Sequence, residues 1–409
     1  MPVVPRLFGA FCALVMLTAC APGALPQESP TSSADNPKAD AVMRIVRDTM
    51  AQANLKAVIV RVTVDGKEVV TQALGESMTG VPATTGMHFR NGAVAISYVS
   101  TLLLELVDEK KVSLDDKLSA WLPDVPHADR VTLGQLAHMT SGYVDYVIGN
   151  TAMDDALYTN PFRRWTTREL LDYAVNRPLL YEPGTNWNYA HTNYVLLGRA
   201  LEKATGEQMP ALLSDEVLDP LGLTNTANSF TPEIPAPALH AYTSERREAL
   251  QIPSGTPFYE ESTFWNPSWT IARGAIQTTN IYDMEASAAG IGSGQLLSRK
   301  SHELMVSRDL LGKTRAQPGC TTCAQMSDLY TYGMGIVTSG EWLLQNPLFS
   351  GEAGVMAYLP SKRIAIAIAV TYLPEAFDEQ GNYVNAADKL FRQIGAELAP
   401  DAAPPTPPR

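Results

Sequence analysis

Cysteine is scarce in this 409-residue chain: four in all, at positions 12, 20, 320 and 323. Two close cysteines cannot complete a tetrahedral zinc site without two more ligands, and no second such pair exists. The histidines His88, His127, His138, His191, His240 and His302 are scattered, without the short spacing by which a helix holds zinc. No metal is expected. Positive charge is also short, 31 Lys plus Arg against 43 Asp plus Glu for a net of -12, and no basic run could neutralise a phosphate backbone. That excludes nucleic acid as a partner. No Gly-rich phosphate loop follows a strand, so no cofactor is expected. Long apolar runs are missing too, since Leu7 to Met16 falls short of the roughly 20 residues a membrane span requires.

What that short run does have is a positive start, Met1 to Arg6, and the ending Leu17-Thr18-Ala19-Cys20. This pattern reads as a secretion signal over residues 1–19. Its ending resembles the lipobox of bacterial lipoproteins, which implies a lipid on Cys20, an extracytoplasmic location and a membrane partner. Residues 20–37 are small, polar and Pro-bearing, as a tether would be. In an oxidising compartment Cys320 and Cys323 read as a small local disulfide. Pro318-Gly319 just before them argues for a loop rather than a redox strand-to-helix unit.

Between tether and tail, apolar residues at Ala41, Val42, Ile45, Val46 and Met50 predict a helix. Ala57 to Val64, Asp65-Gly66 and Lys67 to Ala73 predict a β-hairpin. From Gly92 to Met305 helical patterns dominate: Val94 to Asp108, Thr132 to His138, Thr167 to Asn176, Tyr194 to Thr205 and Pro210 to Leu218. Strand signals return at Tyr332 to Thr338, Val355 to Leu359 and Arg363 to Tyr372, before a closing helix from Asn385 to Leu398. The expected fold class is therefore α/β (α+β). Its domain, residues 38–398, holds an antiparallel sheet built from both ends (about 38–91 and 330–398), flanked by helices, with an inserted all-α lobe (about 92–329). Residues 399–409, with five prolines from Pro400 onward, are expected to be disordered.

Seven short stretches carry a family likeness: Phe89-Arg90-Asn91-Gly92; Leu106 to Asp116; Thr132-Leu133-Gly134-Gln135-Leu136; Thr140-Ser141-Gly142; Tyr181-Glu182-Pro183-Gly184-Thr185; Asn188 to Gly198; and Pro220 to Thr226. In this order the chain resembles the class C β-lactamase and D-alanyl-D-alanine carboxypeptidase family, the β-lactamase-related serine hydrolases. The resemblance implies a serine β-lactamase/penicillin-binding-protein-like fold. It also implies Ser-x-x-Lys at the start of a buried helix, because a serine hydroxyl is a weak nucleophile and needs a base beside it. Here those positions read Ala93 and Ile96, and the chain contains no Ser-x-x-Lys. Ser97 and Ser100 lie further along the helix and read as hydroxyls satisfied by a backbone carbonyl one turn back.

The family's second element, Tyr-x-Asn, reads Tyr189-Ala190-His191, keeping the tyrosine. Its third element, a strand motif near residues 344–351, leaves only Gly351 recognisable. The candidate pocket is Ala93, Ile96, Tyr189, His191 and Gly351, with no confident catalytic residue. The expectation is a non-catalytic, lipid-anchored protein acting by binding, with a cell-wall peptide or a protein partner as its target. The aromatics Phe258, Tyr259, Phe264, Trp265 and Trp269 are a candidate partner surface or a cap on the helical core. The alternative is a serine hydrolase of esterase, peptidase or lactamase type with an unconventional nucleophile, in which His191 would serve as base.

Overall fold

Runs of β-branched residues and the Asp65-Gly66 turn fold the first hairpin, in which Asp65 (φ 52°) and Gly66 (φ 71°) take left-handed conformations. The computed structural model describes residues 36–229, 231–271 and 276–407. The signal segment, Cys20 and most of the tether lie outside the described residues.

The main sheet has nine strands: β1 (Leu55–Val64), β2 (Lys67–Met78), β3 (Val81–Pro82), β4 (Thr331–Tyr332), β5 (Val337–Ser339), β6 (Trp342–Gln345), β7 (Leu348–Phe349), β8 (Glu352–Leu359) and β9 (Ile364–Tyr372). Their order is β3-β2-β1-β9-β8-β6-β5-β4, with β7 paired to β8, and every pairing is antiparallel. Central β1 meets β9 in the register Val58 to Val370 and Val62 to Ile366, which joins the two ends of the chain.

Every residue of β8 and β9 is buried, so both faces of the sheet centre are covered. Helices α1 (Pro37–Gln52) and α10 (Ala386–Leu398) pack together and on the central strands. The helices between them in the chain are α2 (Val94–Asp108), α3 (Leu133–Ala137), α4 (Thr151–Thr159), α5 (Thr167–Asp172), α6 (His191–Thr205), α7 (Met209–Leu213), α8 (Ile281–Ser293) and α9 (Arg299–Met305).

Two boundaries differ from the sequence reading. Helix α8 falls within the stretch assigned to an all-α lobe, yet it packs on β1, β8 and β9. Its Gly292 permits close approach: a Cβ there would sit 2.5 Å from the Tyr358 ring. The Pro-rich tail is not disordered over its described part. Trp342 donates from Nε1 to the Ala402 carbonyl (2.8 Å), Arg392 donates to the Pro405 carbonyl, and Pro404 packs on Gly395. Prolines lack an N–H, so such a tail docks through its carbonyls and rings.

Helix α2 is apolar on all sides and is buried among α6, α7 and α9. Its hydroxyls turn inward. Ser97 donates to the Val94 carbonyl (2.6 Å), whereas Ser100 pairs with the Tyr194 phenol (2.7 Å) rather than with a carbonyl one turn back.

Candidate functional site

The start of α2, the start of α6 and the turn between β6 and β7 meet at a cavity of about 370 Å³, which α4 with the loop before it, Glu245, Tyr330 and residues around Trp265 and Trp269 complete. Gly92 enters α2 at φ +51°, and a Cβ there would lie 2.5 Å from Pro347 and 2.7 Å from the Phe349 ring. The third element thus closes directly over the helix start. Ala93 follows as the residue that caps α2, with no side-chain hydrogen bond to offer. Ile96, 1 % exposed, lines the same wall.

The second segment is held by the matched motifs themselves. Tyr181 donates to Asn188 Oδ1, Asn188 donates to the Tyr143 carbonyl (3.0 Å), and Ser141 donates to Asn193 Oδ1 (2.5 Å). These bonds fasten the 139–146 loop to the entry of α6. They explain why scaffold motifs stay readable where the chemistry is not.

At that entry, His191 Nδ1 lies 3.0 Å from Asp145 Oδ2, and the backbone N–H of His191 donates to Asp145 Oδ1 (3.2 Å). Asp145 also accepts from the amides of Val147 and Ile148 (3.2 and 3.3 Å). The buried carboxylate therefore serves as the cap that Ala190 cannot provide for α6, where negative charge suits the helix N-terminus. Because Asp145 accepts, Nδ1 is the ring nitrogen that donates to it, and His191 lines the cavity. Tyr189 meets the imidazole edge-on at 5.3 Å. Burial, with Tyr330, Asp145 and Tyr194 nearby, drives its phenol well above the usual range, so a phenolate base is disfavoured.

Of the sequence-predicted pocket residues, Ala93, Ile96, Tyr189 and His191 line the cavity. Gly351 does not. It sits behind the wall, at φ +78°, packed against the Tyr242 carbonyl and donating to the Tyr383 hydroxyl (2.8 Å), while Ser350 takes the lining position. No hydrogen bond joins a serine hydroxyl to His191 among the described residues. Cys320 and Cys323 form a disulfide with Cα atoms 5.4 Å apart.

The sequence reading missed Asp145, Asp154, Tyr158 and Glu245. Isolated acids in loops carry no spacing signal; Asp145 had only its place three residues after Gly142. Burial raises Glu245 to about 7, with the Thr243 hydroxyl and the Ser350 amide working against it. Asp154 is also raised, by burial first and then by Asp155 and Asp145. The aromatic segment does not form a surface patch. Trp265 and Trp269 line the cavity and Tyr259 stacks on Tyr242 at 5.2 Å, leaving Phe264 as the exposed ring.

The Beta-lactamase family profile matches residues 42–391, most of the chain and all the segments around the cavity. This chain belongs to the Beta-lactamase family. Among its relatives in the family, penicillin-binding protein 4 of Amycolatopsis lactamdurans is 33% identical over 151 residues, covering 36% of this chain and 37% of the relative. A putative D-alanyl-D-alanine carboxypeptidase of Escherichia coli (strain K12) is 26% identical over 202 residues, covering 45% and 44%. The matched part thus spans less than half the length of these curated relatives. Among solved structures, the D-amino acid amidase of Ochrobactrum anthropi SV3 superposes with a TM-score of 0.72 at 21% identity, covering 90% of this chain and 99% of the amidase. The penicillin-binding protein of Bacillus halodurans superposes at 0.64 with 16% identity, covering 83% and 95%. These superpositions show a shared β-lactamase/penicillin-binding-protein-like fold.

Proposed function

We propose that this Beta-lactamase family member is non-catalytic and acts by binding a ligand in the cleft, outside the cytoplasm and anchored by a lipid on Cys20. The observation that carries this reading is Ala93 and Ile96 at the cavity wall, in the places where acyl transfer needs an oxygen and an amine. A methyl group cannot attack a carbonyl, and an isoleucine cannot take a proton. The sequence leaves a cell-wall peptide and a protein partner open as targets. The inward-turned Trp265 and Trp269 favour a peptide end or another small molecule, and D-alanyl-D-alanine peptides are suggested by the carboxypeptidase relatives' names.

One observation favours a second reading, a hydrolase without the serine. His191, oriented by Asp145, could present Nε2 to a water molecule as a general base. Turnover of a chromogenic ester by the mature chain separates the two. The binding reading expects no rate above that of His191→Ala; a rate that this variant abolishes supports the second reading and rejects the first. The anchor has its own test: the mature N-terminus should carry a lipid mass on Cys20, and Cys20→Ser should release the protein from membranes. A soluble, unlipidated native protein would reject it.

A further inference from the structure

The chain's acidic balance is inverted at a second cavity, of about 380 Å³, which α5 and the later turns of α6 border. Three arginines line it: Arg164 before α5, Arg168 within it and Arg199 on α6. All three are exposed, whereas Trp165, Leu170 and Ile276 are buried and give the cavity an apolar floor. Arg164 and Arg168 form no ion pair among the described residues. Arg199 has Glu202 at 3.8 Å, a long pairing, and that carboxyl already accepts from the Met209 amide (3.1 Å). Glu202 is the single acid among the described lining residues. Glu169, the nearby acid on α5, is engaged by Arg163 (2.8 Å) and by the Thr166 amide (2.8 Å), and Arg163 in turn stacks on the Trp165 ring at 3.8 Å. Between Ile271 and Ile276 the sequence reads Ala272-Arg273-Gly274-Ala275, which holds no acid. Thr167 and Gln208 also line the cavity, and their side chains make no hydrogen bond to a described residue.

We infer that this second cavity binds an organic phosphate monoester, its dianionic head among the three guanidiniums and its apolar or aromatic body on the floor beside Trp165. Like charges gathered around one cavity repel one another, and a dianion relieves that repulsion. A guanidinium fork pairs with phosphate oxygens in parallel hydrogen bonds. A phosphate head offers three such oxygens to three arginines, where a carboxylate offers two. The Thr167 hydroxyl and the Gln208 amide supply uncharged donors for an oxygen left over. The volume is of the size that small ligands fill. Thr270, Ile271 and Ile276 line both this cavity and the cleft, but Trp165 and the three arginines line this cavity alone. The inference therefore stands whether or not the cleft is catalytic.

The test is calorimetry on the mature chain with phenyl phosphate, at pH of about 8 where the ester carries both charges, and with benzoate as the aromatic monoanion. Phenyl phosphate should bind at least about ten-fold more tightly than benzoate, and its affinity should fall as salt is added. It should also bind more tightly than inorganic phosphate, which has no body for the floor. The double variant Arg168→Gln with Arg199→Gln should lose about ten-fold in affinity for phenyl phosphate. The control Arg44→Gln with Arg47→Gln, which removes the same charge from the exposed face of α1, should lose none. All four arginines are exposed, so both variants should keep the native melting temperature. Recruitment of the Cys20→Ser chain to vesicles of equal parts phosphatidylcholine and phosphatidic acid, lost in the Arg168, Arg199 variant, assigns the phosphate to a lipid headgroup; no recruitment assigns it to a soluble ester. No binding of phenyl phosphate at millimolar concentration, benzoate binding equally well, or equal losses in the two double variants overturns the inference.

Discussion

At the scale of single residues, Asp145 holds one wall of the cleft from behind His191. It accepts hydrogen bonds from three backbone amides and sits behind the His191 ring. Replacing it by alanine removes the acceptor of three amides, two of them on the half-buried Val147 and the exposed Ile148 where water can substitute, at a cost of about 1–3 kcal/mol for each one that water cannot reach. Asp145→Ala should therefore lower the urea midpoint substantially, whereas His191→Ala should change it little. Equal, small effects would show that Asp145 is not the capping group. Tyr189 and His191 were legible in the sequence because they adjoin a readable motif, but their acid partner was not. A carboxylate recruited from a loop 46 residues upstream leaves no trace in spacing. Gly351 was misplaced by one residue for a related reason. Its glycine signal is real, but it answers to the Tyr242 backbone rather than to a ligand.

At the scale of elements, the cleft depends on how the β6–β7 turn is held over α2. Asn385 caps α10 by accepting from the Asp388 amide (2.9 Å) and donates its side-chain amide to the carbonyls of Asn346 (2.9 Å) and Pro347 (3.3 Å). One side chain thus starts a helix and fastens the cleft wall. Asn385→Ala should cost about 1–2 kcal/mol by denaturant titration, and it should weaken ligand binding although it touches no ligand. Loss of stability with unchanged binding would confine Asn385 to the cap. Helix α10 matches the sequence reading closely because its apolar face and its Asn385 cap agree, whereas α2 matches through its long apolar run alone, without a side-chain cap. The strand signal from Tyr332 to Thr338 breaks into β4 and β5 at Gly333 to Gly335. There a Cβ on Gly335 would collide with Ser100 on α2. Close packing against another element set that break, which local pattern cannot reveal.

At the scale of the whole molecule, the fold was legible because the sheet is built from hydrophobic strands at both ends of the chain, which nothing else in the sequence could pair. The tail was not, because docking through carbonyls and proline rings has no periodicity to read. Buried carboxyls give the molecule a pH signature. Glu352, buried with the Arg90 charge only partly offsetting desolvation, is raised to about 7, as is Glu245. A carboxyl whose folded pKa lies above its unfolded value holds more protons when folded. Stability should thus fall as pH rises from about 4.5 through about 7, by up to about 3 kcal/mol for each group. The melting temperature should decline over that window, and Glu245→Gln should flatten part of the decline. A melting temperature that rises across the window would contradict this assignment.

The central claim is that this family cleft has kept its frame and lost its acyl-transfer groups. Intact mass after incubation with a fluorescent penicillin tests it most directly, comparing the native chain with the Ala93→Ser, Ile96→Lys double variant. The native chain should remain unmodified, with one adduct gained only by the double variant. A covalent adduct on any serine of the native chain would contradict the account.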